Sequence, residues 1–207
     1  MGALIGRRSV MTVFCDPLDP LGHGVRIVLA EKDVTAEVQY ATLDTRPDDL
    51  KELNPYNAVL TLLDRDLVLY EAQIMMEYLD ERFPHPPLMA VDPVAKANNR
   101  QLRYRVMRDL YQWIDIIKGK NEIAASNARK AMRDNLTAIA PSFTQYPYFM
   151  AHDFTLVDCC MAPLLWRLNA YGIKLPPQAK PLTKYAERLF TRSPFRSSLS
   201  EAERELR

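Results

Sequence analysis

The chain has 207 residues, 48% apolar and 26% charged, and its 27 Lys and Arg against 26 Asp and Glu leave a net charge of +1. That length can bury one large or two modest cores, and the charge balance excludes a protein that meets nucleic acid by overall electrostatics. The three cysteines have no metal-ligand or paired spacing and point to a reducing compartment.

The longest clean apolar run, Cys159 to Trp166, is eight residues with a proline inside, too short for a bilayer. Residues 1–8 lack a secretory apolar stretch, and Gly6 breaks the myristoylation pattern. A cytoplasmic protein is expected.

Strand and helix signals alternate through the first eighty residues. Val10 to Phe14 is a β-favouring run, followed by a turn rich in Pro, Asp and Gly over 16–24. Val25 to Lys32 reads as a helix stopped at Asp33, a residue that tolerates left-handed backbone better than most. Glu37 to Ala41 predicts a strand and Asp48 to Leu53 a short helix. Thr61–Leu63 and Leu67–Tyr70 predict a hairpin turning at Asp64-Arg65-Asp66. Glu71 to Phe83 carries Ile74, Met75, Tyr78, Leu79 and Phe83 at helical spacing. This order of elements is that of a thioredoxin-like domain, placed at 8–83.

Four prolines between Phe83 and Pro93 then forbid helix and mark a linker, 84–97. Beyond it strand signals vanish, and an all-helical domain is expected over 98–207. Leu102, Val106, Leu110, Trp113, Ile114 and Ile117 form one helical stripe, and Asn127 to Ile139 another, ended by Pro141. Thr155 and Asp158 have the spacing of a capping box for a helix running to Trp166. Lys184–Phe190 and Glu201–Leu206 add shorter pieces.

The stretch Leu53-Asn54-Pro55-Tyr56-Asn57-Ala58-Val59-Leu60, with its hairpin and the Glu71-Ala72 pair, resembles the ligand-binding half of glutathione transferases. In that family a cis-proline leaves the preceding residue's N–H and C=O free to pair with glutathione, and an acid and a hydroxyl at the helix start hold the ligand's ends. The resemblance therefore implies a site at Cys15, Val59, Leu60, Glu71 and Ala72. Here, however, Leu60 replaces the proline and Ala72 the serine. A cis bond before a non-proline residue costs about 3–4 kcal/mol, so a trans peptide and a vestigial site are expected.

Val25 to Lys32, Met76 to Met89, Ala162 to Leu168 and Ser198 to Arg204 together resemble a bacterial branch of that fold, the stringent starvation protein A family. The resemblance implies a homodimer that binds RNA polymerase holoenzyme, sigma factor and core. It implies no enzyme activity, no cofactor and no membrane. The implied contact is a surface around Pro84, His85 and Pro86, with Asp92 beside it. Asp92 stands where relatives carry an aromatic, and Asp33 where they carry glycine. Prolines stiffen the segment and lower the ordering cost of presenting His85; a plain interdomain connector with an exposed histidine is the other reading.

Cys15 follows the first strand, where these transferases place a catalytic Ser or Cys. It reads either as the nucleophile of a glutathione-dependent transferase or reductase or as an inert thiol at a strand end. Lys96, Arg100, Arg103, Arg105 and Arg108 form the one basic cluster, which fits an acidic partner, a solvated face or a dimer seam. It lacks the interleaved aromatics of a nucleic-acid platform. The three histidines have no metal-ligand spacing, and no phosphate loop is present.

Overall fold

A computed structural model describes residues 10–207; the readings made on residues 1–8, and the domain start at 8, lie outside it. In chain order the elements are β1 (Thr12–Cys15), α1 (Pro20–Glu31), β2 (Glu37–Tyr40), α2 (Asp48–Leu53), β3 (Thr61–Asp64), β4 (Leu67–Leu69) and α3 (Ala72–Arg82). Then follow α4 (Pro93–Asp109), α5 (Ile114–Lys118), α6 (Glu122–Ile139), α7 (Leu156–Trp166), α8 (Lys180–Thr191), α9 (Ser193–Ser198) and α10 (Glu201–Arg204). The chain divides into two compact units. One comprises the described residues through Pro86 together with Ser197–Arg204, and the other Pro87–Arg196 with the last three residues.

The first unit is a four-stranded sheet in the order β2-β1-β3-β4. β1 and β2 are parallel, as a strand–helix–strand crossover requires, and β1/β3 and β3/β4 are antiparallel. Phe14, Leu50 and Leu63 form a buried cluster, with Leu53 and Val68 packed against it. α1 and α3 pack on each other. The β3–β4 turn uses Arg65 at φ 55°, and Asp33 ends α1 at φ 52°, the left-handed conformation expected of it.

α1 begins five residues earlier than the sequence reading placed it, so much of the expected 16–24 turn is helix. Asp19 caps it, accepting from the N–H groups of Leu21 (3.1 Å) and Gly22 (2.8 Å), with Pro20 in the first turn. Gly22 belongs there for packing: a Cβ would sit 2.7 Å from the Cys15 Cβ, so only glycine lets α1 lie this close to β1.

The second unit is all helical. α4 starts at Pro93, inside the stretch read as linker, because Asp92 caps it by accepting the Ala95 N–H at 2.8 Å. The stripe read as one helix from Leu102 to Ile117 breaks at Leu110, whose ψ of −55° comes with φ −120°, outside helical values. A short 3-10 turn, Tyr111–Trp113, precedes α5 there. α6 begins at Glu122, capped by Asn121, five residues before the helix expected from Asn127.

α7 opens on the expected capping box. The Asp158 carboxylate accepts the Thr155 N–H at 2.8 Å, while the Thr155 hydroxyl takes the Val157 N–H at 3.2 Å. Asp158 is fully buried and also accepts from the Phe149 N–H (3.0 Å) and the Tyr185 hydroxyl (2.6 Å), tying α7 to α8.

Candidate functional site

Leu60, Glu71 and Ala72 come together around a concavity of about 420 Å³ in the first unit, shared with Leu21, Asn54, Tyr56, Ala58, Tyr70 and Ile74. Cys15 and Val59, expected in the same site, do not line it. The Val59–Leu60 peptide is trans. The Asn54 side chain donates to the Ala58 carbonyl (3.2 Å), the Leu60 carbonyl (3.3 Å) and the Thr61 hydroxyl (3.1 Å), so acceptors of this turn are engaged within the protein. Glu71 sits at φ 92° and spends its carboxylate on its own helix, accepting the Gln73 N–H at 3.3 Å. Backbone strain of that kind costs about 1–3 kcal/mol and persists only where the surroundings enforce it. Ala72 is buried and offers no hydroxyl. What remains is an apolar hollow edged by Tyr56 and Tyr70, whose rings meet edge to face at 5.4 Å.

Cys15 is wholly buried at the end of β1. Burial, partly offset by the neighbouring Arg26 guanidinium, pushes its thiol up to about 12. Near neutral pH it is therefore a protonated core side chain, and the nucleophile reading finds no thiolate. Beside it lies a buried polar cluster that the sequence reading passed over. Arg26 Nη2 donates to Glu203 Oε1 at 2.8 Å, and His23 Nδ1 lies 3.5 Å from the same oxygen. His23 Nε2 is 3.1 Å from the Ser198 hydroxyl. One signal was available: Ser200 and Glu203 have capping-box spacing, and here the box forms, with Ser200 N–H on Glu203 Oε2 and Glu203 N–H on Ser200 Oγ.

Pro84, His85 and Pro86 are all exposed. The segment runs as bends rather than as an extended spacer, and its His85–Pro86 peptide is cis. It is fastened from below. Lys32, on the turn after α1, donates to the Pro86 carbonyl and to Asp80 Oδ1, the latter at 2.5 Å. The Lys32 side chain has no exposure and that of Asp80 only 9%. Polar groups held this deep are satisfied by each other and fix the backbone they touch.

Asp92 is exposed and belongs to the second unit, where its carboxylate has the capping duty already described. Of the basic cluster, Arg103 is 2% exposed and bonds Asn99 at 3.0 Å, so it does not share a solvent face with the exposed Arg100. Arg105 pairs with Asp109 at 3.5 Å on the surface. Among the described residues no group of three or more His, Cys, Asp or Glu could hold a metal ion, and no helix is long and apolar enough to cross a membrane.

The glutathione S-transferase N-terminal domain family matches residues 20–87, and the C-terminal domain family matches residues 94–193. The stringent starvation protein A homolog of Coxiella burnetii is 50% identical over 202 residues, 97% of either chain. That of Haemophilus influenzae is 47% identical over 203 residues, 98% of this chain and 96% of the relative. Among solved structures, a rice glutathione transferase in complex with glutathione superposes with a TM-score of 0.84 at 21% identity, covering 97% of this chain and 96% of that one. At that identity the likeness is one of fold.

Proposed function

The chain belongs to the stringent starvation protein A family, a stress-related branch of the glutathione-transferase fold, and from that premise we propose that it regulates transcription by binding RNA polymerase holoenzyme through Pro84, His85 and Pro86. The observation that carries this reading is the exposed Pro-His-Pro segment held by the buried Lys32–Asp80 pair. A fixed backbone presents His85 with little left to order, and such anchors dominate binding energy at small contacts. Asp92, at the start of α4, belongs to the partner surface in this reading and contributes charge rather than stacking area.

No transferase or reductase activity is expected. The thiol at Cys15 is neutral and buried, the Glu71 carboxylate caps its own helix, and Ala72 has no hydroxyl to offer. The protein acts as a homodimer in the cytoplasm and without a cofactor. Affinity capture of the tagged full-length protein from a bacterial lysate, followed by mass spectrometry, tests the partner. Polymerase core subunits together with a sigma factor are expected, and their absence from a capture that retains the dimer would overturn the reading.

A further inference from the structure

Where α4 breaks at Leu110, the second unit carries a hollow of about 200 Å³ that has no part in the contact proposed above. Its apolar wall comes from Leu102, Val106, Leu110, Ile139, Phe149 and Met150. The break shapes this wall. The Trp113 N–H bonds the Leu110 carbonyl at 3.2 Å, so the Asp109 carbonyl drops out of the helical ladder. It accepts instead from the Trp113 indole N–H at 3.0 Å and from Asn135 Nδ2 of α6 at 2.9 Å. Asp109 and Asn135 both line the hollow, so the bond between them fixes one of its edges.

Volume limits the occupant. An apolar cavity of about 150 Å³ takes a benzene ring, so this one takes a single ring with a small substituent. The wall suits a ring: Phe149 is buried and aromatic, and Met150, 54% exposed at φ 50°, offers a flexible thioether that packs well on ring edges. Charge selects the substituent. α4 carries Lys96, Arg100, Arg103, Arg105 and Arg108 but a single acid, Asp109, so the helix favours an anion. Arg105 is the cation in the lining, and it meets Asp109 through Nε at 3.5 Å, leaving its two terminal nitrogens to face another acceptor. A carboxylate fits that fork, two N–H groups to two oxygens. The exposed Ser142, also in the lining, adds a hydroxyl donor.

We propose that this hollow is a binding site for a small aromatic carboxylate, its ring against Phe149 and Met150 and its carboxylate on Arg105. Asn135 is a positioning residue in this site: its amide nitrogen is spent on the Asp109 carbonyl and holds the end of α4 beside α6.

Methyl-resolved NMR of the full-length protein titrated with sodium benzoate tests this, with benzyl alcohol as the ring without the charge. Benzoate should shift the methyl signals of Leu102, Val106, Ile139 and Met150 saturably. Arg105→Met keeps an apolar stem and removes the charge; it should weaken benzoate about tenfold or more and leave benzyl alcohol unchanged. Ala138→Phe, at an exposed position of the lining, fills the hollow and should abolish both responses. Both substitutions lie on the surface, so the variants should melt within a few degrees of the parent. Three results would each overturn the site: no saturable shift with benzoate, shifts that survive Ala138→Phe, or an Arg105→Met variant that binds benzoate as the parent does.

Discussion

The Lys32 ammonium donates to the Pro86 carbonyl from inside the first unit, where its side chain has no exposure to solvent. The residue that precedes Pro86 is the one expected to touch the partner, so a core lysine sets where His85 stands. The same ammonium is paired with Asp80. Removing one partner of a buried ion pair strands the other, which costs about 3–5 kcal/mol. Lys32→Met should therefore lower the urea midpoint strongly, and Lys32→Met with Asp80→Leu should recover much of the loss. The double variant should still bind polymerase less well than the parent, because the Pro86 carbonyl has lost its anchor.

Glutathione should not bind usefully. One lost charge-assisted hydrogen bond costs about 1.5–3 kcal/mol; Ala72 has no hydroxyl to offer at the helix start, and the carbonyls of Ala58 and Leu60 already accept from Asn54. Titration calorimetry should show no saturable heat. Micromolar binding, or turnover of a chlorinated aromatic substrate, would contradict this.

Asp158 anchors the second unit. Its carboxylate serves the backbone N–H groups of Phe149 and Thr155 and the Tyr185 hydroxyl, the first and last of these in the interior. Each donor left unpaired in the core costs about 1–3 kcal/mol, so Asp158→Ala should be among the most destabilising substitutions, losing about 3 kcal/mol or more. Tyr185→Phe, which removes one donor and strands no other, should cost about 1 kcal/mol. Chemical denaturation monitored by circular dichroism separates the two.

Much of this was legible in the sequence, and each miss has a physical cause. The Thr155 box, the Asp48–Leu53 helix and the Thr61–Leu69 hairpin were readable because each is decided by residues within a few positions of one another. α1 was begun too late because Gly22 and Gly24 look like turn residues; the Asp19-Pro20 cap outweighs them, and Gly22 is there for packing against Cys15. The burial of Cys15 and Arg103, and the meeting of Glu203 with His23 and Arg26, depend on residues far apart in the chain. Periodicity carries no information about such pairs. The α4 stripe misled for a related reason: apolar spacing continues smoothly through Leu110 where the backbone does not.

A homodimer is expected by light scattering at micromolar concentration, with a mass twice the 23.8 kDa of the chain. Apolar side chains remain strongly exposed on the helices of a single chain, Ile74 at 53% on α3 and Val94 and Tyr104 at 68% and 66% on α4, and their burial against a second copy would favour association. A mass of one chain at that concentration would contradict the expectation.

The most direct test is the affinity of purified RNA polymerase holoenzyme for the parent protein and for His85→Ala, measured side by side by biolayer interferometry. His85 is exposed and fills no core volume, so the variant should melt within a few degrees of the parent and remain the same oligomer. Loss of an anchor worth about 2 kcal/mol should weaken binding about thirtyfold. Equal affinity of a folded His85→Ala variant and its parent would contradict a polymerase contact at Pro84, His85 and Pro86.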